Sequence, residues 1–357
     1  MELIATVYAP VLAPIANKDL ASIRRRSDAA VDELVSLSGK LSAPSWIGPA
    51  VPIEIRLLNS PGQSIELTKA WGERESFRAQ RFLSFATRQI IDLPEYRAQL
   101  EKQNPHCPAD RLPDAELAAH DVVTSDLSVA VADIALAAAI ATAGAFEIQE
   151  RLGFCNSRYI RSASGCTSNS SWAAATASEL GWPRLADPKV EHVWNWLRRL
   201  PGFGEGAPRG PAGRAVSALS QLFGEASAQT PVVGLVWALV GLEALFGNGT
   251  MGLKRQLMEK SEVLLGPRTA FKKRFDRIYD FRSRFVHGDI DFPLEYRSTE
   301  EIDEFERYAD ESVDAMLLAQ AMLIAAVQRL VELDTYQVNF KYTLDLTSPT
   351  GADAPEA

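Results

Sequence analysis

Metal and disulfide chemistry have little to work with in this chain. It holds 3 cysteines (Cys107, Cys155, Cys166) and 4 histidines (His106, His120, His192, His287). None of their spacings matches a zinc knuckle or a disulfide framework. The one adjacent pair, His106-Cys107, has no second pair to close a tetrahedral site. No metal ion and no cofactor is expected, and a sparse, odd thiol count suits a reducing cytoplasm. An excess of positive charge is missing too. A net charge of −9 excludes a chain that grips nucleic acid over its whole surface. The start, MELIATVYAP, has no basic segment ahead of an apolar run, so no signal peptide is expected. The most apolar window, LSVAVADIALAAAIATAGAF from Leu127 to Phe146, is about long enough to cross a bilayer. It carries Asp133 at its middle, however, and is mostly alanine, which inserts weakly. It reads as a buried helix, and no membrane partner is expected; a membrane protein built around this window is the competing reading, which solubility without detergent would eliminate. GFGEGA is not a phosphate loop, because no lysine follows it and no strand precedes it. There is no internal repeat.

What the chain does have is the material of a globular protein: 357 residues, 46% hydrophobic and 23% charged, enough for two domains. Residues 1–180 mix signals. IATVYAPVLAPI and VPIEIRLL read as short strands. Residues 19–37 read as a helix, and residues 68–91 as a second, charge-rich one. Residues 94–113 are polar, punctuated by proline and read as irregular. An alanine-rich helix is expected over 125–151, and CNSRYIRSASGCTSNSS (155–171) as a loop. From about residue 187 the pattern becomes helix after helix: VEHVWNWLRRL, then 214–226, 231–246, 254–265, 268–287, and a long helix beginning at Ser298 or Thr299 with a capping box and running to 334. Trp194 and Trp196 read as core anchors rather than base-stacking platforms. TYQVNFKYTLDL alternates like a strand (335–347), and 348–357 reads as a disordered tail. The fold class expected is mainly α: a C-terminal helical bundle over 187–334, preceded by a mixed α/β region over 1–180.

The most informative stretch is YDFRSRFVHGD, residues 279–289. Phe271, Phe275, Ile278 and Phe285 recur at helical spacing, and the position completing that stripe is Arg282. An arginine on an apolar face needs an acid or a polar cavity, because burying its charge unpaired is costly. The helix VVGLVWALVGLEALFG offers the acid. Val232, Val236, Leu239 and Phe246 keep the same spacing, and the remaining position is Glu243. Two interrupted stripes of opposite charge suggest facing helices that meet through Glu243 and Arg282. Two readings stay open: a buried ion pair that fixes helix register, or a polar cleft in which Glu243 orients Arg282 toward an anion. His287 precedes Gly288, a preferred residue just past a helix end. On a strict helix the side chains of Arg282 and His287 lie about 140° apart, and unwinding at Gly288 would bring them into one cleft. Charge favours an anion site: residues 254–287 carry ten lysines and arginines against four acids, and residues 288–314 eleven acids against two arginines. Solvated helix faces are the plainer explanation of the same counts.

Arg282 and His287 form an Arg-x4-His motif. WALVGLEALF, then a charged helix, then RIYDFRSRFVHG resembles, in order and wording, the Apea-like branch of the HEPN superfamily, small helical domains many of which are metal-independent ribonucleases. WNWLRRL and GRAVSALSQLF are similar to it as well. The resemblance covers about residues 187–334. It implies Arg282 and His287 as the motif pair, Ser283 as the polar residue after the arginine, and Glu243 as the acidic helper. It implies RNA as substrate and a homodimer whose shared cleft holds two Arg-His pairs. Many members are inactive binding or dimerisation modules.

The chemistry fits these residue types. Cleavage of RNA without metal uses the ribose 2′-hydroxyl as nucleophile on the adjacent phosphate and leaves 2′,3′-cyclic phosphate ends. Histidine titrates near neutrality and serves as acid or base. The planar arginine fork matches phosphoryl oxygens and stabilises their charge. The expectation is therefore a cytoplasmic, dimeric endoribonuclease, a toxin or antiviral effector whose residues 1–180 sense a trigger or accept a protein inhibitor. The alternative is a non-catalytic helical module that binds RNA or a protein.

Overall fold

A computed structural model describes residues 1–11, 20–45, 49–60, 63–64, 81–108, 111–166, 170–224, 231–247, 252–267, 272–289 and 303–341. Alternation governs its first element. Leu3, Ala5, Val7, Ala9 and Val11 are all buried, because they share one face of a strand, β1 (Glu2–Val11). β1 is the centre of a five-stranded antiparallel sheet. The other strands are β4 (Glu54–Leu58), β5 (Arg81–Ile90), β6 (Ile148–Cys155) and β7 (Arg158–Cys166), and the order is β4-β5-β1-β6-β7. Ala5 lies opposite Thr87 on one side and Cys155 on the other. Two short strands, β2 (Ser42–Ala43) and β3 (Val51–Pro52), pair separately. Helices α1 (Leu20–Ser36), α2 (Leu93–Gln103) and α3 (Ala115–Ala141) complete this half, with α3 packed on β1, β6 and β7.

The second half is helical: α4 (Ser170–Leu180), α5 (Val190–Arg199), α6 (Gly210–Leu222), α7 (Pro231–Phe246), α8 (Leu253–Leu265), α9 (Lys272–His287) and α10 (Asp303–Glu332). The fold is thus mixed but helix-rich. Small residues set a close contact between two of these helices. Gly234 and Gly241, seven apart on one face of α7, lie where an added Cβ would come within 2.7 Å of Met316 Sδ and 2.6 Å of Leu323 on α10. Trp194 and Trp196 are buried, and the Trp196 indole donates to the Thr335 carbonyl. Gln328 of α10, fully buried, joins the halves: its amide oxygen accepts from Ala186 N–H at 2.9 Å, and its amide nitrogen donates to the Ile140 carbonyl of α3 at 2.7 Å.

Several expectations are corrected. Residues 81–90, read as the end of a helix, form β5. Its inward face carries Thr87 and Gln89 beside Leu83 and Phe85, so the apolar alternation is broken by buried polar groups. Residues 93–103, read as irregular, form α2. Asp92 accepts from Glu95 N–H, and Pro94 falls in the first turn, where it costs nothing. The alanine-rich helix starts earlier and ends earlier than expected. Asp114 caps it, and it stops before Gly144, whose φ is +82°. The loop expected over 155–171 contains β7, reached through Asn156 and Ser157, both at positive φ. Residues 335–341 carry no strand. Their alternating Tyr336, Val338 and Phe340 instead pack on the core, so the alternation reflects one buried side without a ladder. The expected capping box at Ser298 and the expected tail lie outside the described residues.

Two helical segments, 115–141 and 311–332, are long and apolar enough to cross a membrane, yet the apolar windows are 67% and 78% buried within the fold.

Candidate functional site

Glu243 and Arg282 meet. Arg282 Nη2 of α9 lies 3.3 Å from Glu243 Oε1 of α7, with side chains 37% and 23% exposed respectively. α7 delivers the acid at the border of two surfaces. On one side are the buried Val232, Leu239 and Phe246; on the other are Val233, Val236 and Val240, each exposed. Val236, expected on the buried stripe, turns outward. On α9, Ile278, Tyr279 and Phe281 are buried, and Arg282 falls between Ile278 and Tyr279 around the axis. Phe271 and the side chains of Phe275 and Phe285 lie outside the described residues.

A second group closes on the same carboxylate. The Tyr279 hydroxyl donates to Glu243 Oε1 at 3.5 Å, a long bond. Burial, and then the neighbouring negative charge of Glu243, push the Tyr279 phenol well above its ordinary range, so it remains a donor. Sequence reasoning gave Tyr279 no role of its own. The available signal was its position three residues before Arg282, on the same side of the helix. Glu243 therefore anchors two side chains of α9, and the outer part of the guanidinium stays open to solvent.

Ser283 and His287 are elsewhere. Both are exposed, and a four-residue separation sets them on one outer face of α9. The unwinding at Gly288 that would bring Arg282 and His287 into one cleft does not occur. α9 stays helical to His287, then ends on Gly288 at φ +75°, with Asp289 N–H returning to the Arg284 carbonyl at 2.7 Å. This is a Schellman closure, and it keeps the ring of His287 about 140° around the helix and about 7.5 Å along it from Arg282. The candidate residues thus divide into an inner group, Glu243, Tyr279 and Arg282, and an outer pair, Ser283 and His287.

Nearby, Lys260 of α8 is buried and donates to the Phe246 carbonyl at the end of α7, at 2.7 Å. Loss of water lowers its pKa. It ties α7 to α8 and closes the helix end beside Glu243. Among the described residues no three His, Cys, Asp or Glu side chains gather as a metal site would need.

Chemically, the inner group can hold one oriented cation, and the outer face can present one imidazole. Comparison of the chain with protein-family models, curated proteins and solved structures finds no match.

Proposed function

We propose that this protein is a cytoplasmic, metal-independent endoribonuclease of HEPN type, whose C-terminal helices form a HEPN-like bundle. The observation that carries the reading is the Glu243–Arg282 contact between α7 and α9, with the buried Ile278, Tyr279 and Phe281 beside the arginine and His287 exposed at the end of the same helix. A carboxylate that holds an arginine in one orientation while its outer edge faces water is what phosphate recognition requires.

One chain cannot put Arg282 and His287 on the same phosphate, given their angular separation. A two-fold dimer resolves this. The exposed Val233, Val236 and Val240 form an apolar strip beside Glu243, suited to a second copy. Contact there would bring two α9 ends to one cleft. One His287 would take the proton of the 2′-hydroxyl as it attacks phosphorus, the other would protonate the departing 5′-oxygen, and Arg282 would stabilise the charge on the phosphoryl oxygens. The products would carry 2′,3′-cyclic phosphate and 5′-hydroxyl ends. The sheet-bearing half would answer a trigger or inhibitor, as in a toxin or defence effector.

The separation of Arg282 from His287 favours one competing reading, a non-catalytic helical module that binds RNA or protein. Mapping the end chemistry of cellular RNA after induced expression separates the two. Wild type should generate new cyclic-phosphate ends that His287→Ala does not. No new ends from wild type rejects the nuclease, and so does an equal yield from His287→Ala.

A further inference from the structure

We propose that the cleft between α1 and α4, whose lining includes none of Glu243, Tyr279, Arg282, Ser283 or His287, binds a small phosphate monoester. This inference does not depend on the ribonuclease reading. The cleft has a volume of about 320 Å³, at the small end of the range for small-molecule sites. Its walls include Ser22 and Arg26 of α1, Ala174, Ala177 and Ser178 of α4, and Arg184 of the following loop. The hollow exists because α4 presents alanines where larger side chains would fill it.

Among the described residues, the ionisable side chains in its lining are Arg26 and Arg184, on a protein whose net charge is −9. Their states differ. Arg26 is held by Asp187 at 3.1 Å. Arg184 is exposed and has no acidic partner among the described residues. Nor do the Ser22 and Ser178 hydroxyls have hydrogen-bond partners among those residues. One open guanidinium fork and two uncommitted hydroxyls on the rim suit the several oxygens of a phosphate better than the two of a carboxylate. The alanine wall suits a compact, weakly polar body behind it.

The loop that carries Arg184 is fixed on both sides. The Trp182 indole donates to the Gly266 carbonyl at the end of α8, at 3.1 Å, and Ala186 N–H donates to Gln328. Arg184 therefore projects from a braced segment, and also borders a second, larger cleft beside α8 and α10. A ligand in the cleft between α1 and α4 would contact both halves of the fold.

Isothermal titration calorimetry on the full chain tests this, with adenosine 5′-monophosphate, inorganic phosphate and adenosine as probes. The monophosphate should saturate one site per chain, phosphate should compete with it, and adenosine should bind at least tenfold more weakly. Arg184→Ala should weaken the monophosphate at least tenfold, and Ser178→Ala, a second variant at an exposed position, should weaken it measurably. Arg282→Ala should leave it unchanged. Absence of saturable binding by both phosphorylated probes at millimolar concentration overturns the proposal. So does equal binding of adenosine, indifference to Arg184→Ala, or loss on Arg282→Ala.

Discussion

Replacing Asp133 by asparagine should stabilise the protein, and by an amount that grows with pH. Asp133 is partly buried in the middle of α3, where that helix meets α5. Loss of water raises its carboxyl from the ordinary 3.8 to about 6, while Arg198 and then Arg151 hold the rise back. An acid with a raised folded-state pKa favours the fold in its protonated form. That contribution is complete below the unfolded value near 3.8 and is lost as pH climbs through about 6. The gap corresponds to about 3 kcal/mol when both states are ionised, near pH 8, and to roughly 1.5 kcal/mol at pH 5. Asparagine has the same shape and does not titrate. Its advantage over Asp133 should therefore widen by about 1.5 kcal/mol between pH 5 and pH 8. Urea denaturation of both proteins at several pH values across that window measures it. A difference between them that does not change with pH would refute the assignment of a raised carboxyl to this position.

Gln328→Leu leaves Ala186 N–H without its bond at the seam between the halves, while the Ile140 carbonyl keeps its backbone donor Ala143 N–H, and should cost about 1–3 kcal/mol in a denaturant titration. Gly144→Ala and Gly288→Ala both force an L side chain to positive φ, about 1 kcal/mol each. At Gly144, though, the new Cβ would lie 2.4 Å from Ser170 Cβ, whereas at Gly288 nothing among the described residues lies within 4 Å. Thermal melts should rank Gly144→Ala as clearly the worse of the two. Glu243→Ala removes one acceptor of the largely buried Tyr279 and the partner of Arg282, and should cost about 1–2 kcal/mol. Glu243→Gln keeps an acceptor and should cost less in the same assay.

The helical half was the more legible. α7 spans the expected residues, and the two broken stripes pointed correctly to a Glu243–Arg282 contact, because a lone charge on an apolar helix face must find a partner. Gly288 marked the end of α9, because a helix that closes at positive φ favours glycine there. Other features needed tertiary information. The inward Thr87 and Gln89 hid the period of β5. Asn156-Ser157 is a weaker turn signal than Asn-Gly, so the hairpin to β7 passed for a loop. Pro94 suggested irregular structure where it begins a helix. The outward turn of Val236 was not legible either, since periodicity alone cannot say which edge of a wholly apolar helix stays uncovered.

The most direct test of the ribonuclease proposal uses purified protein and a short RNA in EDTA, beside the same RNA with a single 2′-deoxy residue at each mapped cut. Cleavage of the all-ribose strand to 2′,3′-cyclic phosphate ends is expected, with each 2′-deoxy substitution blocking its own cut and His287→Ala or Arg282→Ala abolishing all of them. Cleavage that persists at the 2′-deoxy positions, or in either variant, would contradict it.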